Sequence, residues 1–381
     1  MTRVIHRPVV LATALAALVA AASVVAVEVR QEREFRRLIA VGDAALAQDQ
    51  AFVAIETFSG ALAFKPASML AHLKRGDAYR RRGEFTAALR DLGEAARLDD
   101  TAPQPPELLG DVHAALGHYE QAAEFYERYL QLDDRSARVL YKLALSFVRQ
   151  EQPAKAVAPL TRAIALDDRF AEAHYLLGLS LRALRRDDEA LRSLDRAIAL
   201  NAAFIAAREE RAALYAERGR TRESLDEIEA IAALEPGRPE RLVSLALAYA
   251  RLGRRDTAVA TLRRAAERHP DIPAVYVALG RVWLDGAQSP HDALAIDRAV
   301  EALQPIAGRG DATSETLALY GRALLESGKP QDAERVLLQA VRRAPIDPLA
   351  YRYLAEAARR LGHQPIARDA RSLYAAVAAQ P

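Results

Sequence analysis

The chain has 381 residues, of which 53 are basic and 51 acidic, so its formal net charge is only +2. Basic and acidic residues are interspersed, and this near balance argues against a nucleic-acid-binding surface. With 51% hydrophobic residues, the chain is too apolar for a disordered protein. It contains no cysteine, which excludes disulfides, thiolate metal ligands and a cysteine nucleophile.

Residues 1–30 differ from the remainder of the chain. An apolar run extends from Val9 to Val27 and is broken only by Thr13 and Ser23. As a helix, this run would be roughly 28 Å long, close to the thickness of a bilayer core. It predicts a single N-terminal hydrophobic helix that anchors the protein in a membrane. The alternative is a signal peptide that is cleaved near Ala22 and releases a soluble periplasmic or secreted form.

The orientation of such an anchor is nearly balanced by the positive-inside rule, since arginines flank the run on both sides. We expect the remainder of the chain to lie outside the cytoplasmic membrane, because a short N-terminal segment usually inserts in this direction. The sequence leaves both the orientation and the cleavage open.

Beyond residue 35 the chain is organised as a repeat of 34 residues, for which residues 171–204 serve as the example. Small and apolar residues recur at helical spacing in each half of this unit. The polar residues from Arg185 to Asp188 separate the halves and predict a turn, in which Asp187 or Asp188 caps the second helix. Gly178 is small where the two helices must approach closely. The residues at helical spacing are His174, Leu177, Gly178 and Leu181, followed by Ala190, Leu191, Leu194, Ala197, Ile198 and Leu200.

The same pattern recurs through nearly the whole chain. The second unit has Gly76, Tyr79, Gly83, Phe85, Ala88, Leu92 and Ala95, and the ninth has Tyr320, Gly321, Gly328, Ala333, Leu337, Ala340 and Pro345. This pattern resembles the tetratricopeptide repeat (TPR). The resemblance covers residues 35–381 and implies an all-α solenoid, a right-handed superhelix of about ten antiparallel helix pairs.

The period is interrupted once. Residues 273–313 exceed it by seven residues, and we expect a helix start at Ser289–Asp292 and a longer second helix over Ala293–Ala307. The extra residues indicate either a tolerated extension or a specific contact surface. In the last unit Arg371 takes a position that is phenylalanine or leucine in other units, which suits a unit that faces water.

Prolines mark two further irregularities. Pro105 and Pro106 predict a late start for the first helix of the third unit, because proline is tolerated only in a first helical turn. Pro159 lies inside the second helix of the fourth unit and is expected to bend it.

Catalytic and metal-binding patterns are missing from the sequence, which lacks His-Glu-x-x-His, Gly-x-Ser-x-Gly, a phosphate-binding loop and a calcium loop. His72 and His174 fall at a packing position of their units, and His113 and His118 lack further ligands nearby. Paired aspartates recur every 34 residues, at 99–100, 133–134 and 167–168, and indicate loop and helix-cap positions. We therefore expect a protein that is not an enzyme and uses no cofactor, metal ion or small-molecule substrate.

The resemblance implies an inner groove lined by the second, fifth, ninth, twelfth and thirteenth residues of each unit. Units four and five then present an apolar strip with two tyrosines and a rim of arginines, to which unit two adds two arginines. Aromatic residues and arginine are favoured at interfaces, so a peptide with apolar anchors and acidic neighbours would suit the groove. The alternative is that these are ordinary solvated helix positions. The candidate groove residues are Arg80, Arg81, Arg138, Tyr141, Leu145, Arg149, Tyr175, Leu179 and Arg182. A mixed-charge inner face is expected further on, from Glu209, Glu217, Glu240, Arg281, Glu315, Arg322 and Arg352.

The leading functional interpretation is a non-catalytic scaffold, tethered at its N-terminus, that binds a protein or peptide partner during assembly of a cell-envelope complex. The envelope setting rests on family analogy. The alternative is an accessory subunit of a membrane-associated enzyme, a secretion system or a polysaccharide-export system. No nucleic acid is expected among the partners. The sequence leaves the identity of the partner and the oligomeric state open.

Overall fold

The computed structural model describes residues 6–286 and 292–378, without the side chains of residues 6–14 and 16. Over these residues the chain forms twenty α-helices and no β-strand. The long α1, His6–Ala47, ends as the first helix of repeat one. After it, even-numbered helices are the second helices of the repeats and odd-numbered helices are the first helices. The second helices are α2 Ala51–Phe64, α4 Phe85–Leu98, α6 Tyr119–Leu132, α8 Pro153–Leu166, α10 Asp187–Leu200, α12 Thr221–Leu234, α14 Arg255–Arg268, α16 Ala293–Ala307, α18 Pro330–Ala340 and α20 Gln364–Ala378. The first helices are α3 Met69–Arg81, α5 Gln104–Ala115, α7 Ala137–Arg149, α9 Ala171–Ala183, α11 Ile205–Glu217, α13 Pro239–Arg251, α15 Pro273–Asp285, α17 Ser314–Glu326 and α19 Pro348–Leu361.

The chain divides into two compact units, Met1–Asn201 and Ala202–Pro381. Within each unit every helix packs against the helices that precede and follow it, and first helices of neighbouring repeats, such as α7 and α9, also touch. Each repeat therefore contacts only its neighbours, which is the arrangement of a solenoid of helix pairs.

A small residue at the eighth position of the repeat meets a large side chain at the 24th. Leu194 and Leu337 are fully buried against Gly178 and Gly321, respectively. A Cβ atom built on Gly321 would lie 2.5 Å from Cγ of Leu337, well inside the contact distance of packed carbon atoms. The close helix approach that the sequence predicts at Gly178 is thus confirmed.

The residue at the fifteenth position closes the turn between the two helices in a left-handed conformation. Gly83 has φ 77°, and Arg185 adopts φ 60° although its side chain disfavours this conformation. The predicted cap by Asp187 or Asp188 is wrong, because α10 begins at Asp187 and its N-cap, Arg186, makes no side-chain cap hydrogen bond. Both aspartates lie in the first turn instead, where their charge interacts favourably with the helix dipole.

The recurring aspartates end the second helices. Asp99, Asp133 and Asp167 are the C-caps of α4, α6 and α8. The side chain of each accepts a hydrogen bond of 3.0–3.1 Å from the backbone N–H two residues further on. This local turn, typical of aspartate, confirms the predicted loop and cap role.

Prolines and extra residues predict irregularities in repeats three, four and eight. In repeat three, α5 begins one residue late, with Pro105 and Pro106 in its first turn. In repeat four, α8 continues through Pro159 as a single helix, and the bend at this residue stays a prediction. In repeat eight, α16 spans the predicted range, and Asp292 Oδ1 accepts the first-turn N–H of Ala295 at 3.2 Å. The predicted start at 289–291 lies outside the described residues.

The long helix α1 joins the N-terminal segment to the first repeat without a break. Phe35 packs into the core of repeat one, whereas the side chains of Leu18 and Val24 are more than half exposed. Among the helices whose side chains are described, none is long and apolar enough to cross a membrane. Part of the apolar run at 9–27 lies outside those residues, and the anchor stays a prediction.

Candidate functional site

The predicted groove residues of repeats four and five lie on two helices that are in contact, α7 and α9. The residues on α7 are Arg138, Tyr141, Leu145 and Arg149, and those on α9 are Tyr175, Leu179 and Arg182. We call this set the α7–α9 surface. Tyr141, Leu145, Tyr175 and Leu179 are all half-buried, so the surface is a partly exposed apolar strip rather than a core.

Tyr141 on the α7–α9 surface packs against a second aromatic ring. Its ring lies 5.0 Å from that of Phe170, centroid to centroid, at an angle of 46°. Burial raises the pKa of its hydroxyl and Glu172 acts in the same direction, whereas the charge of Arg149 opposes both. Tyr141 therefore presents an uncharged hydroxyl and a fixed aromatic face next to an arginine that is exposed.

The remaining predicted arginines, Arg80 and Arg81, line a different cavity together with Arg138. This cavity of about 530 Å³ lies on α1, α3, α5 and α7, and we call it the repeat 1–4 groove. Each basic side chain in it is paired with an acid of the same groove. The pairs are Lys74–Asp43 at 2.6 Å, Arg80–Asp77 at 2.6 Å, Arg81–Asp77 at 3.0 Å and Arg138–Glu107 at 2.8 Å. Arg80, Arg81 and Arg138, three of the five predicted groove arginines, are therefore neutralised within this groove.

A polar network behind this groove was not foreseen from the sequence. Lys142 donates to Glu107 at 2.8 Å and to Asp111 at 2.7 Å, and the hydroxyl of Tyr126 donates to Asp111 at 2.8 Å. Burial raises the pKa of Tyr126, which keeps its hydroxyl a donor. The network joins α5, α6 and α7, and the separation of Glu107 from Lys142 by 35 residues, one more than the length of the repeat, was the signal that could have revealed it.

The second unit contains a cavity of about 480 Å³ on α17, α19 and α20, which we call the repeat 9–10 cleft. Its charged lining consists of four arginines and two glutamates. Arg322 pairs with Glu326 at 2.8 Å and with Asp285 at 2.7 Å, and Arg360 pairs with Glu356 at 2.7 Å. The other two arginines, Arg352 and Arg371, form no ion pair with any described residue. The cleft therefore carries an excess of positive charge.

Sequence reasoning found part of this cleft. It predicted a mixed-charge inner face that includes Arg322 and Arg352, and the structure brings both to one cavity. It missed Tyr353 and Tyr374, which also line the cleft, and it interpreted Arg371 only as a residue facing water. The sequence signal for this cleft was Arg371, which takes the 24th position of its repeat, where other repeats have a core residue.

The predicted packing role of the histidines is confirmed. His72 lies 3.2 Å from Asp91 and 2.9 Å from the carbonyl oxygen of Pro66, and His174 is buried. The rings of His113 and His118 are 6.0 Å apart. No three histidines or acidic residues are placed to hold a metal ion within residues 6–286 and 292–378.

Sequence models of the tetratricopeptide repeat match residues 39–104, 239–282 and 314–357. The helix pairs also recur at the length of this repeat, except in the longer repeat eight. Residues 39–104, 239–282 and 314–357 are thus tetratricopeptide repeats. A further model, that of subunit 3 of the anaphase-promoting complex or cyclosome, matches residues 117–197. Proteins built from this repeat are scaffolds for protein interaction, and this TPR chain has the fold of one.

Solved structures of other TPR proteins are similar to this one. The C-terminal part of a TPR protein from Cytophaga hutchinsonii is 17% identical, with a TM-score of 0.55, over 67% of this chain and 100% of that chain. MamA is 26% identical over 42% of this chain and 94% of its own, with a TM-score of 0.41. YrrB, described as a TPR protein with an unusual peptide-binding site, is 22% identical over 48% of this chain and 94% of its own, with a TM-score of 0.44. The sequence matches none of the curated proteins with which it was compared.

Proposed function

We propose that this TPR protein is a non-catalytic scaffold that holds a protein or peptide partner on the first helices of its repeats. The observation that carries the proposal is the α7–α9 surface. Half-buried tyrosines and leucines lie side by side on it, next to Arg149, which is exposed and has no ion-pair partner among the described residues. Aromatic, aliphatic and arginine side chains in this arrangement are typical of the centre of a protein interface.

The proposal can be tested by site-specific photo-crosslinking in cells. With a photoreactive residue at Leu145 or Leu179, we expect a discrete crosslinked product, because the partner covers these positions. The matched control is Ala165, an exposed residue on the second helix α8. Equal crosslinking from Ala165, or no product from either leucine, would overturn the placement of the partner on the α7–α9 surface.

We further propose that residues 1–30 tether the scaffold to the cytoplasmic membrane, with the repeats on its outer side, in the assembly of an envelope complex. The apolar run and the unbroken passage of α1 into repeat one support a tether in direct helical continuity with the scaffold. Protease added to spheroplasts is then expected to remove a C-terminal tag while a cytoplasmic protein stays intact. Protection of the tag until lysis would contradict this orientation.

A further inference from the structure

The last repeat departs from the packing rule of the others at the pair of positions that lines the repeat 9–10 cleft. In repeat nine, Gly321 faces the fully buried Leu337. One period later the corresponding residues are Ala355, which is buried, and Arg371, which is exposed. Both line the cleft. An arginine has therefore replaced the residue that fills this space in other repeats, and its charged head remains accessible to solvent.

The charge of the cleft persists over the physiological pH range. Hydrogen bonds from Arg359 lower the pKa of Glu356 to about 2, assisted by Arg360. Glu356 therefore stays ionised and is already bound by its own arginines. Burial raises the pKa of Tyr353, so the tyrosine stays neutral. What remains uncompensated is the pair Arg352 and Arg371, whose guanidinium groups can each donate two parallel hydrogen bonds to a carboxylate.

The repeat 1–4 groove provides the contrast. Its lining also contains arginines and acidic residues, but each of its basic residues already has an acidic partner, such as Asp43 for Lys74. A partner carboxylate that entered this groove would have to displace an existing ion pair. A carboxylate that entered the repeat 9–10 cleft would not have to displace an ion pair. Electrostatic complementarity therefore favours this cleft as the binding site for a negatively charged group.

The chemistry of the lining favours a peptide over a nucleic acid. A phosphate backbone is bound by a track of cations along the strand, whereas here Glu326 and Glu356 lie among the arginines. Tyr353 and Tyr374 are half-buried and add aromatic surface between the charged groups. An apolar side chain flanked by two carboxylates would match this combination.

We propose that the repeat 9–10 cleft binds an acidic peptide segment of a partner protein. Arg352 and Arg371 each bind a carboxylate of this segment, and Tyr353 and Tyr374 contact the apolar side chain between them. This inference rests on the proposed scaffold function and names the partner chemistry of a second surface.

The test is fluorescence anisotropy of the full chain with short labelled peptides in which two glutamates flank a central leucine at varied spacing. We expect at least one to bind, and its glutamine counterpart not to bind. Arg352→Ala and Arg371→Leu should each weaken binding about tenfold or more, the usual effect of losing a hydrogen-bonded charge pair. The Arg371→Leu variant restores the core residue type of repeat nine, so we expect it to melt no lower than the wild type.

The matched control is Arg368→Ala, which removes an exposed arginine of α20 that does not line the cleft. Equal loss of binding in this variant, or no binding of any acidic peptide, would overturn the proposal. Single-stranded DNA is the second probe, and DNA binding that Arg352→Ala and Arg371→Leu abolish would overturn it in favour of a nucleic acid. If no acidic peptide binds but photoreactive residues at Leu145 and Leu179 still crosslink to a partner, the cleft proposal is wrong and the proposed scaffold function is still supported.

Discussion

Replacing Asp91 by alanine is expected to lower the free energy of unfolding of repeat two by about 3–5 kcal/mol, the usual cost of removing one partner from a buried ion pair. Asp91 is 4% exposed and binds the guanidinium of Arg75 through two hydrogen bonds of 2.6 and 2.8 Å. His72 lies 3.2 Å from the same carboxylate. Without Asp91, both basic groups would face a partly buried site with no counter-charge.

The effect can be localised by hydrogen exchange, because the stability of stacked repeats depends on nearest neighbours. Amides of α3 and α4 should lose protection in Asp91→Ala, whereas those of α17 and α18 should not. Asp100→Ala, which removes an exposed aspartate next to the end of α4, serves as the matched control and should change stability by less than about 0.5 kcal/mol. A loss below about 1 kcal/mol in Asp91→Ala would show that this ion pair does not stabilise the repeat.

Repeat nine shows which apolar residues could replace the Arg75–Asp91 ion pair. Its residues at the positions of Arg75 and Asp91 are Tyr320 and Val336, which pack as partly buried apolar residues. The double variant Arg75→Tyr with Asp91→Val is therefore expected to recover most of the stability that Asp91→Ala loses. Well-packed apolar groups commonly replace a buried ion pair at little or no cost.

The same charged cluster occurs a second time in the chain. Repeat six places Arg208 and Arg211 at the positions of His72 and Arg75, and both bind the buried Glu227, at 2.9 and 2.5 Å. Charged residues at matching positions in two repeats, with the acid 16 residues after the second base, were visible in the sequence. A search for periodic apolar residues alone does not detect these charged residues.

The regular part of the fold was predictable because one spacing rule acts in every repeat. Apolar residues at helical spacing and the small residue at position eight determine which faces meet, so boundaries such as Ala171 and Ser314 agree with the structure. Capping was less predictable. Several neighbouring polar residues can cap a helix start. α10 begins at Asp187, one residue before the start that a cap by Asp187 requires and two residues before the start that a cap by Asp188 requires.

The sequence predicted which helix face carries the candidate site, but it did not predict the ion pairs within the site. The periodicity places Arg138 and Arg149 on the same helix face, and both were expected to be available to a ligand. The structure pairs Arg138 with Glu107 from the preceding repeat at 2.8 Å, whereas Arg149 has no ion-pair partner among the described residues. Such cross-repeat pairs depend on how one repeat lies on the next, which the spacing within a repeat does not determine.

Gly321→Val is expected to destabilise repeat nine by about 1–3 kcal/mol, the usual cost of adding volume to a packed core. A Cβ atom at this position would lie 2.5 Å from Cγ of Leu337 and 2.6 Å from its Cδ2. Cγ is near the backbone of α18 and Leu337 is fully buried, so the leucine cannot rotate away without displacing its neighbours. The β-branched valine adds a smaller penalty from its low helix propensity.

The Gly321→Ala variant separates the effect of steric crowding against Leu337 from the effect of helix propensity. Repeat seven pairs Ala246 with Leu262, and both are fully buried, so this fold accommodates an alanine opposite a leucine at these two positions. Gly321→Ala should therefore cost clearly less than Gly321→Val. Alanine also gains roughly 1 kcal/mol over glycine in helix propensity, which opposes the crowding.

The decisive measurement is a double-mutant cycle by urea unfolding with Gly321→Val, Leu337→Ala and both together. Leu337→Ala alone should lose about 2–5 kcal/mol through the cavity it leaves. If the two side chains compete for one space, the valine fills part of that cavity, and the double variant loses less than the sum by about 1 kcal/mol or more. Additive losses would mean that the glycine is not required for the approach of α17 to α18. In that case the replacement of the same pair by Ala355 and Arg371 would no longer explain why the last repeat opens into a cleft.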